Sequence, residues 1–326
     1  MGNYHMIRPS LYLIDLDLER PGFRQFISSW LYQLDGVTVL VDPGPSATFQ
    51  SLLKTLKSLN VHKIDLILLT HIHIDHAGAA GLLLKQYPMA GVICHPKAIP
   101  HLVDPARLWE GSLKVLGDLA ISYGPVTSIP PDALHSIHDF NDHGLGIEVI
   151  EMPGHSPHHV CYRIGDILFI AEAAGVNIPH SLGNYLRLAT PPVFIYEVYR
   201  QSLLKAAALQ AEILCFGHYG FRRDGRAVFE AALQQLERWM EIVGQHARQS
   251  KPGIEQIVYR EIMKSDPALS LFSELPADIQ VRERYFCMNS IKGILDYFEK
   301  KNEVFAAVAA ESHRAEIYLT SMHFAG

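Results

Sequence analysis

The chain has 326 residues, 48% of them apolar and 19% charged, which supplies enough apolar surface for a sizeable core and excludes a disordered protein. Its 28 lysines and arginines against 34 aspartates and glutamates leave a net charge of −6, a balance that disfavours nucleic acid as a partner. No apolar run approaches the roughly 18 residues of a membrane span, and the opening Met1-Gly-Asn-Tyr-His-Met lacks an apolar signal core, so the expectation is a cytoplasmic protein with no membrane attachment.

Along the chain, Leu11–Leu16 reads as a strand. Trp30–Leu34 and Val37–Val41 flank Asp35-Gly36, a pair suited to the positive φ of a tight hairpin turn. Asp42-Pro-Gly-Pro-Ser then breaks the chain, and Ala47–Leu59 carries apolar residues at helical spacing. Ile64–Leu69 has strand length, Ala77–Tyr87 restarts as a helix, and Val92–Cys94 is a further strand. The proline-rich stretch from Pro96 to Pro131, with a short helix around Arg107–Leu119, has the looseness of a segment that packs over a site. Strands return at Ile147–Ile150, Val160–Ile164 and Ile167–Ile170, the last two joined by Gly165-Asp166. Pro179–Pro192 reads as loop, Glu197–Leu209 as helix and Ile213–Phe216 as strand. Beyond about Gly225 only helical periodicity remains, at Ala227–His246, Gln256–Met263 and Val281–Lys301. These patterns predict an α/β catalytic domain over 1–224 and a helical domain over 225–326.

The 18 histidines decide the functional reading. Residues 70–78 read Thr-His-Ile-His-Ile-Asp-His-Ala-Gly, so His71, His73, Asp75 and His76 crowd the end of an apolar strand just before a helix. Three imidazoles and a carboxylate this close are costly to bury unpaired. A divalent metal removes that cost, because neutral imidazole and carboxylate are its natural ligands. The four cysteines, Cys94, Cys161, Cys215 and Cys287, are scattered without a CxxC pair and read as reduced thiols.

The HxHxDH run resembles that of the metallo-β-lactamase-fold hydrolases, where it holds a two-metal centre. Three further motifs stand in the family's order: Met152-Pro-Gly-His-Ser-Pro-His-His, Gly165-Asp-Ile-Leu-Phe-Ile-Ala-Glu and Cys215-Phe-Gly-His-Tyr-Gly. The resemblance covers about residues 10–222. It implies a four-layer αββα sandwich with an added C-terminal helical region. It places His71, His73 and His155 on one metal and Asp75, His76 and His218 on a second, with Glu172 bridging where the family usually has Asp. It puts Asp42 and His159 beside the metals as supporting groups, while His158 stands where Gly is common and is left unassigned. Two ions, zinc first with iron or manganese as alternatives, lower the pKa of a bound water and stabilise the oxyanion formed on attack at a carbonyl. Asp75 both holds the second metal and orients that water.

What the resemblance implies is a binuclear metallo-hydrolase acting on a small-molecule thioester or ester, as in glyoxalase II-like enzymes that also carry C-terminal helices. The alternatives are a sulfur dioxygenase-like enzyme with one iron, which the longer Glu172 favours, and a ligand-binding regulator that retains the metal site. Two weaker expectations concern His95, a surface residue or a substrate neighbour, and Tyr219, which packs or lines the pocket. Tyr285, Phe286, Tyr297 and Phe298 form core, an interface or a lid over the metals. Ala306–Ala310 is helix packing, and the apolar stripes of the helical tail predict a homodimer.

Overall fold

A computed structural model describes residues 3–247 and 252–323, with side chains as far as Lys301; Ala306–Ala310 therefore lies outside the described side chains. The first sheet has the order β1(Tyr4–Arg8), β2(Leu11–Asp15), β3(Ser28–Leu34), β4(Val37–Val41), β5(Leu66–Leu68), β6(Gly91–Cys94) and β7(Leu134–Ser136). It is antiparallel as far as β4 and parallel from β4 to β7. The second sheet contains β8(Glu148–Glu151), β9(Val160–Ile164), β10(Ile167–Ala171), β13(Ile213–Phe216) and β14(Phe221–Arg222), with β10 and β13 the parallel pair. β11(Val176–His180) and β12(Gly183–Arg187) make a separate hairpin. The helices are α1(Phe49–Ser58), α2(Ile74–Ala77), α3(Ala80–Gln86), α4(Ile99–Val103), α5(Ala106–Leu116), α6(Asp118–Tyr123), α7(Tyr196–Ala207), α8(Gly225–Ala247), α9(Ile254–Ser265) and α10(Ala277–His323).

Strand alternation sorts the core into two bodies. Leu13, Trp30, Tyr32, Val39, Val41, Leu66 and Leu68 of the first sheet pack with Val160, Tyr162, Ile167, Phe169 and Cys215 of the second, filling the space between the sheets. Their neighbours Leu31, Leu40, Ile67, Cys161, Leu168 and Phe216 point the other way, into the larger body shared with the helices. A period of two thus places one set of side chains between the sheets and the other under helices. The result is an α/β sandwich with added C-terminal helices, as the sequence reading expected.

Most predicted elements stand within two or three residues of their expected bounds. The hairpin turn has φ of 51° at Asp35 and 80° at Gly36, the conformation that pair was expected to supply. The expected loop over Pro179–Pro192 is wrong in part, because it contains the β11–β12 hairpin. Pro179 is tolerated there because β11 has a partner on one side only. The short outer strands β1 and β7 were not anticipated. The loose 96–131 stretch forms α4, α5 and α6, closed by Gly117 and Gly124 at positive φ.

The helical region shares its core with the sandwich: Trp239, Val243, Ile262, Ile291 and Ile294 lie in the same apolar body as Leu31 and Leu168. Among the described residues there is no strand after β14, and no helix is long and apolar enough to cross a membrane. Where α10 crosses the segment after β12, Gly293 leaves room for the backbone; a Cβ there would stand 2.1 Å from the Thr190 carbonyl oxygen. Thr190 N–H and Oγ1–H donate to Ser290 Oγ and O, and Ser290 Oγ–H donates to the Leu188 carbonyl. This ties α10 to residues 188–190, next to the site.

Candidate metal centre

Each sheet contributes one parallel strand pair at this edge of the sandwich. β4 and β5 run parallel, so Asp42 after β4 and the His71–His76 run after β5 emerge together. β10 and β13 do the same for Glu172 and His218. His155 lies in the turn between β8 and β9. Three residues at these strand ends hold positive φ without being glycine: Asp42 at 48°, Ala171 at 42° and Tyr219 at 47°. Strain of this kind persists where surrounding contacts over-determine it and gathers at functional sites. Gly217 permits the tightest approach, since a Cβ there would lie 2.7 Å from His76 Cε1.

All seven expected ligands converge in two adjoining nests. In the first, His73 Nδ1 lies 3.0 Å from His71 Nε2 and 2.9 Å from His155 Nε2. In the second, Glu172 Oε1 is 2.8 Å from both His76 Nε2 and His218 Nε2. Asp75 Oδ2 is 3.7 Å from His76 Nε2 and 3.6 Å from His218 Nε2. Glu172 also reaches toward the first nest, with Oε2 3.7 Å from His71 and Oε1 3.8 Å from His155. The ligand atoms of His71, His73 and His155 lie within 4.8 Å of one another, as do those of Asp75, His76, Glu172 and His218.

The surrounding hydrogen bonds fix which ring nitrogens carry lone pairs inward. Asp42 Oδ1 accepts from Thr70 N–H at 2.9 Å, and Oδ2 accepts from Thr70 Oγ1–H at 2.6 Å. With its proton committed to Asp42, Thr70 Oγ1 accepts from His71 Nδ1–H at 3.0 Å, which leaves His71 Nε2 as a lone pair. His155 Nδ1–H donates to the Ala189 carbonyl at 2.9 Å and likewise aims Nε2 inward. α10 anchors the same segment through Thr190.

Burial holds these imidazoles neutral, His73 and His155 at about 4 and His71 well below its ordinary value. Glu172 is 1% exposed; burial pushes its carboxyl up, but His76, His71, His155 and His218 hold it well below the usual range. His76 is pulled down by burial, yet Glu172 and Asp75 raise it well above its ordinary value. Glu172 Oε2, His76 Nδ1 and His218 Nδ1 are buried without a hydrogen-bond partner. Neutral nitrogen donors in one nest, carboxylates in the next and orphaned polar atoms between them fit divalent cations.

The remaining sequence expectations sort as follows. Asp42 bonds Thr70 twice and lies 3.5 Å from His76 Nδ1, so it supports two ligand residues. His159 packs against the His71 ring at 5.1 Å, and neither of its nitrogens has a partner. His95 is buried, not on the surface: its Nδ1 accepts from Lys97 N–H and caps a short turn. Tyr219 turns toward His5, its hydroxyl 3.3 Å from His5 Nε2. Phe286 and Tyr297 pack inward, and Phe286 backs Phe26, which stacks on His218 with centroids 4.2 Å apart.

Supporting residues that the sequence reading left unassigned are Thr70, His158, Phe26 and the Ala189 carbonyl. His158, held neutral by burial at about 3, accepts from Ile72 N–H at 3.2 Å and pins the ligand loop. Thr70 was legible as a hydroxyl adjoining the ligand run. The other three are brought in by loops distant in sequence.

A two-sheet sandwich with clustered His, Asp and Glu at one edge defines a class. The metallo-beta-lactamase superfamily model matches residues 22–218, more than half of the chain, and the protein belongs to that family. It is 31% identical over 194 residues to a metallo-beta-lactamase fold-containing protein of Sulfurisphaera tokodaii, spanning 56% of this chain and 69% of that one. It is 29% identical over 143 residues to the hydroxyacylglutathione hydrolase of Aeromonas hydrophila, spanning 44% of each chain. This match takes in less than half of that enzyme's length. Among solved structures, an archaeal metallo-beta-lactamase superfamily protein from Sulfolobus tokodaii superposes with a TM-score of 0.63 at 22% identity, covering 90% of this chain and 98% of that one. A beta-lactamase domain protein from Burkholderia ambifaria gives 0.64 at 16% identity, covering 93% and 89%. At these identities the solved structures bear on the fold alone.

Proposed function

We propose that this protein is a metal-dependent hydrolase that cleaves a small acyl compound, a thioester or another ester. The carrying observation is the pair of adjoining nests with Glu172 between them. His71, His73 and His155 would hold one ion, and Asp75, His76 and His218 a second, with Glu172 placed to serve both. Divalent ions there supply Lewis acidity toward a carbonyl and bring the pKa of water toward neutrality. Zinc suits this donor set first, and iron and manganese are its competitors.

The chain's own residues divide the remaining work. Asp75 has the most accessible carboxylate of the cluster, its side chain 13% exposed. It is placed to accept a hydrogen bond from the attacking water and so to orient it. Thr70 and Asp42 hold the tautomer of His71, and the Ala189 carbonyl holds that of His155. Phe26 closes one side of His218 to solvent.

A cysteine nucleophile has no support. All four thiols are buried, and burial pushes Cys94 and Cys287 up to about 12 and Cys161 and Cys215 higher still. The relative named hydroxyacylglutathione hydrolase supports the thioester class. The test is metal content per chain by plasma mass spectrometry on protein purified without added metal, followed by an acyl thioester and ester screen with the metal found. Two ions per chain and turnover that Asp75→Asn lowers at least a hundredfold are expected. One iron per chain, or no turnover with two ions bound, would overturn the reading.

A further inference from the structure

Two buried polar groups beside the centre have no partner, the Tyr123 hydroxyl and Arg282 Nη2. Tyr123 is 1% exposed and comes from α6; Arg282 is 3% exposed and comes from α10. Phe26 links them to the site. Its ring carries His218 at 4.2 Å and the Arg282 guanidinium at 3.9 Å from the centroid. Two groups that close to one centroid must lie on opposite faces, so Arg282 sits one ring's thickness behind His218. Phe23 meets Phe26 at 5.4 Å and Tyr123 at 6.3 Å, both edge to face, completing the wall. Tyr123 in turn lies within electrostatic reach of both Asp75 and Arg282.

The charges around Arg282 do not cancel. Arg282 Nε–H donates to Glu283 Oε1 at 2.9 Å, and Arg187 Nε–H donates to Glu283 Oε2 at 2.6 Å. Among the described residues, Glu283 is the one carboxylate ion-paired with either guanidinium. Two buried cations therefore share one anion. A guanidinium stays protonated in a protein, and a buried charge without a counter-charge is costly. Asp75 does not supply the balance, since its carboxylate lies toward His76 and His218 in the second nest. The excess positive charge, one open N–H and one open O–H together make a receptor for a small anion.

We propose that Tyr123 Oη and Arg282 Nη2 form a subsite for a carboxylate of the substrate, so that the acyl compound cleaved next door is itself an anion. A monocarboxylate matches the single excess charge and presents two oxygens to two donors; a phosphate monoester dianion would overshoot it. The proposal deepens the hydrolase reading and rests on it for the identity of the ligand as substrate.

The test uses Tyr123→Phe and Arg282→Lys in the full chain. Tyr123→Phe removes a hydroxyl that has no partner in the fold, so its melting temperature should match that of the wild type. Succinate titrated calorimetrically into metal-free protein at pH 8 should bind the wild type and bind each variant about tenfold to a hundredfold more weakly, the range expected for a hydrogen bond to a charged group. With metal restored, a succinyl thioester should be preferred over its neutral butyryl counterpart in kcat/KM by a similar factor, and both variants should collapse that ratio.

Succinate that fails to bind, or that binds all three proteins equally, would overturn the subsite whatever substrate the enzyme takes. Variant-sensitive succinate binding in a protein that hydrolyses no ester would instead sink the hydrolase reading and leave the anion site standing. Should Arg282→Lys fail to fold, Tyr123→Phe decides alone.

Discussion

Shortening Glu172 to aspartate isolates the residue that sits between the two nests. One methylene withdraws the carboxylate by about 1.5 Å if the backbone holds, and Ala171 at positive φ together with Gly217 against His76 leaves the backbone little room to follow. Contacts of 2.8 Å to His76 and His218 would open to roughly 4.3 Å. In metal-free protein Glu172 is ionised and His76 protonated, and at an effective dielectric of about 20 that pair weakens from about 6 to about 4 kcal/mol.

The pH window follows from the two shifts. Glu172 is held below its ordinary value, so its contribution is full above about pH 4.5 and fades as pH falls through its folded value. His76 is raised, so its contribution is full below about pH 6.5 and is lost as pH rises through its folded value. Metal-free Glu172→Asp should therefore melt about 4–8 °C below the wild type between about pH 5 and 6. It should also bind one of its two ions at least about tenfold more weakly. Differential scanning calorimetry of chelated protein reads the first effect, and metal titration followed by mass spectrometry the second. Equal melting temperatures together with two ions bound at wild-type affinity would refute the bridging role.

Three further outcomes are expected. Gly293→Ala would gain about 1 kcal/mol from helix propensity, but its Cβ meets the Thr190 carbonyl oxygen at 2.1 Å. It should therefore destabilise the chain in urea and weaken metal binding through the Ala189–His155 bond; a gain in stability would show that α10 does not press on the site. Glu283→Gln leaves Arg187 and Arg282 facing one another without a counter-charge, a change worth about 3–5 kcal/mol in buried pairs. Thermal melting should fall by on the order of 10 °C, and an unchanged melt would place solvent between those guanidiniums. Asp15 is 2% exposed and is raised to about 8 by burial and then by Asp17. The folded state thus holds a proton that the unfolded chain loses near pH 4, and stability falls as pH rises from about 4 to 8. Asp15→Asn should therefore stabilise the protein most at pH 8 and little at pH 4 in parallel urea melts, and a pH-independent difference would contradict this.

The sandwich was legible because its strands alternate. The Val-Thr-Val-Leu-Val of β4 and the Ile-Leu-Phe-Ile of β10 announce half-buried or fully buried strands from local sequence alone. The β11–β12 hairpin was hidden by Pro179 and by glycine and serine at the turn, which also occur in loops. β1 and β7 were hidden because edge strands are short and carry exposed residues such as Met6 and His135. The ligand run His71–His76 was legible because its residues are adjacent, and no other chemistry explains so many imidazoles in so few positions.

By itself the sequence determined the kind of donors, their order along the chain and the alternation that makes two sheets. These are local properties, set by residue type and spacing. Only the tertiary structure decided that Glu172, despite its extra methylene, reaches both His76 and His218, that Asp42 and Thr70 hold the tautomer of His71, and that α10 bears on the segment holding His155. It also decided that Tyr123 and Arg282, 159 positions apart, face the same wall with open polar groups. Those facts depend on where chain segments of large separation come to rest, and nothing in the local pattern of either segment encodes that distance.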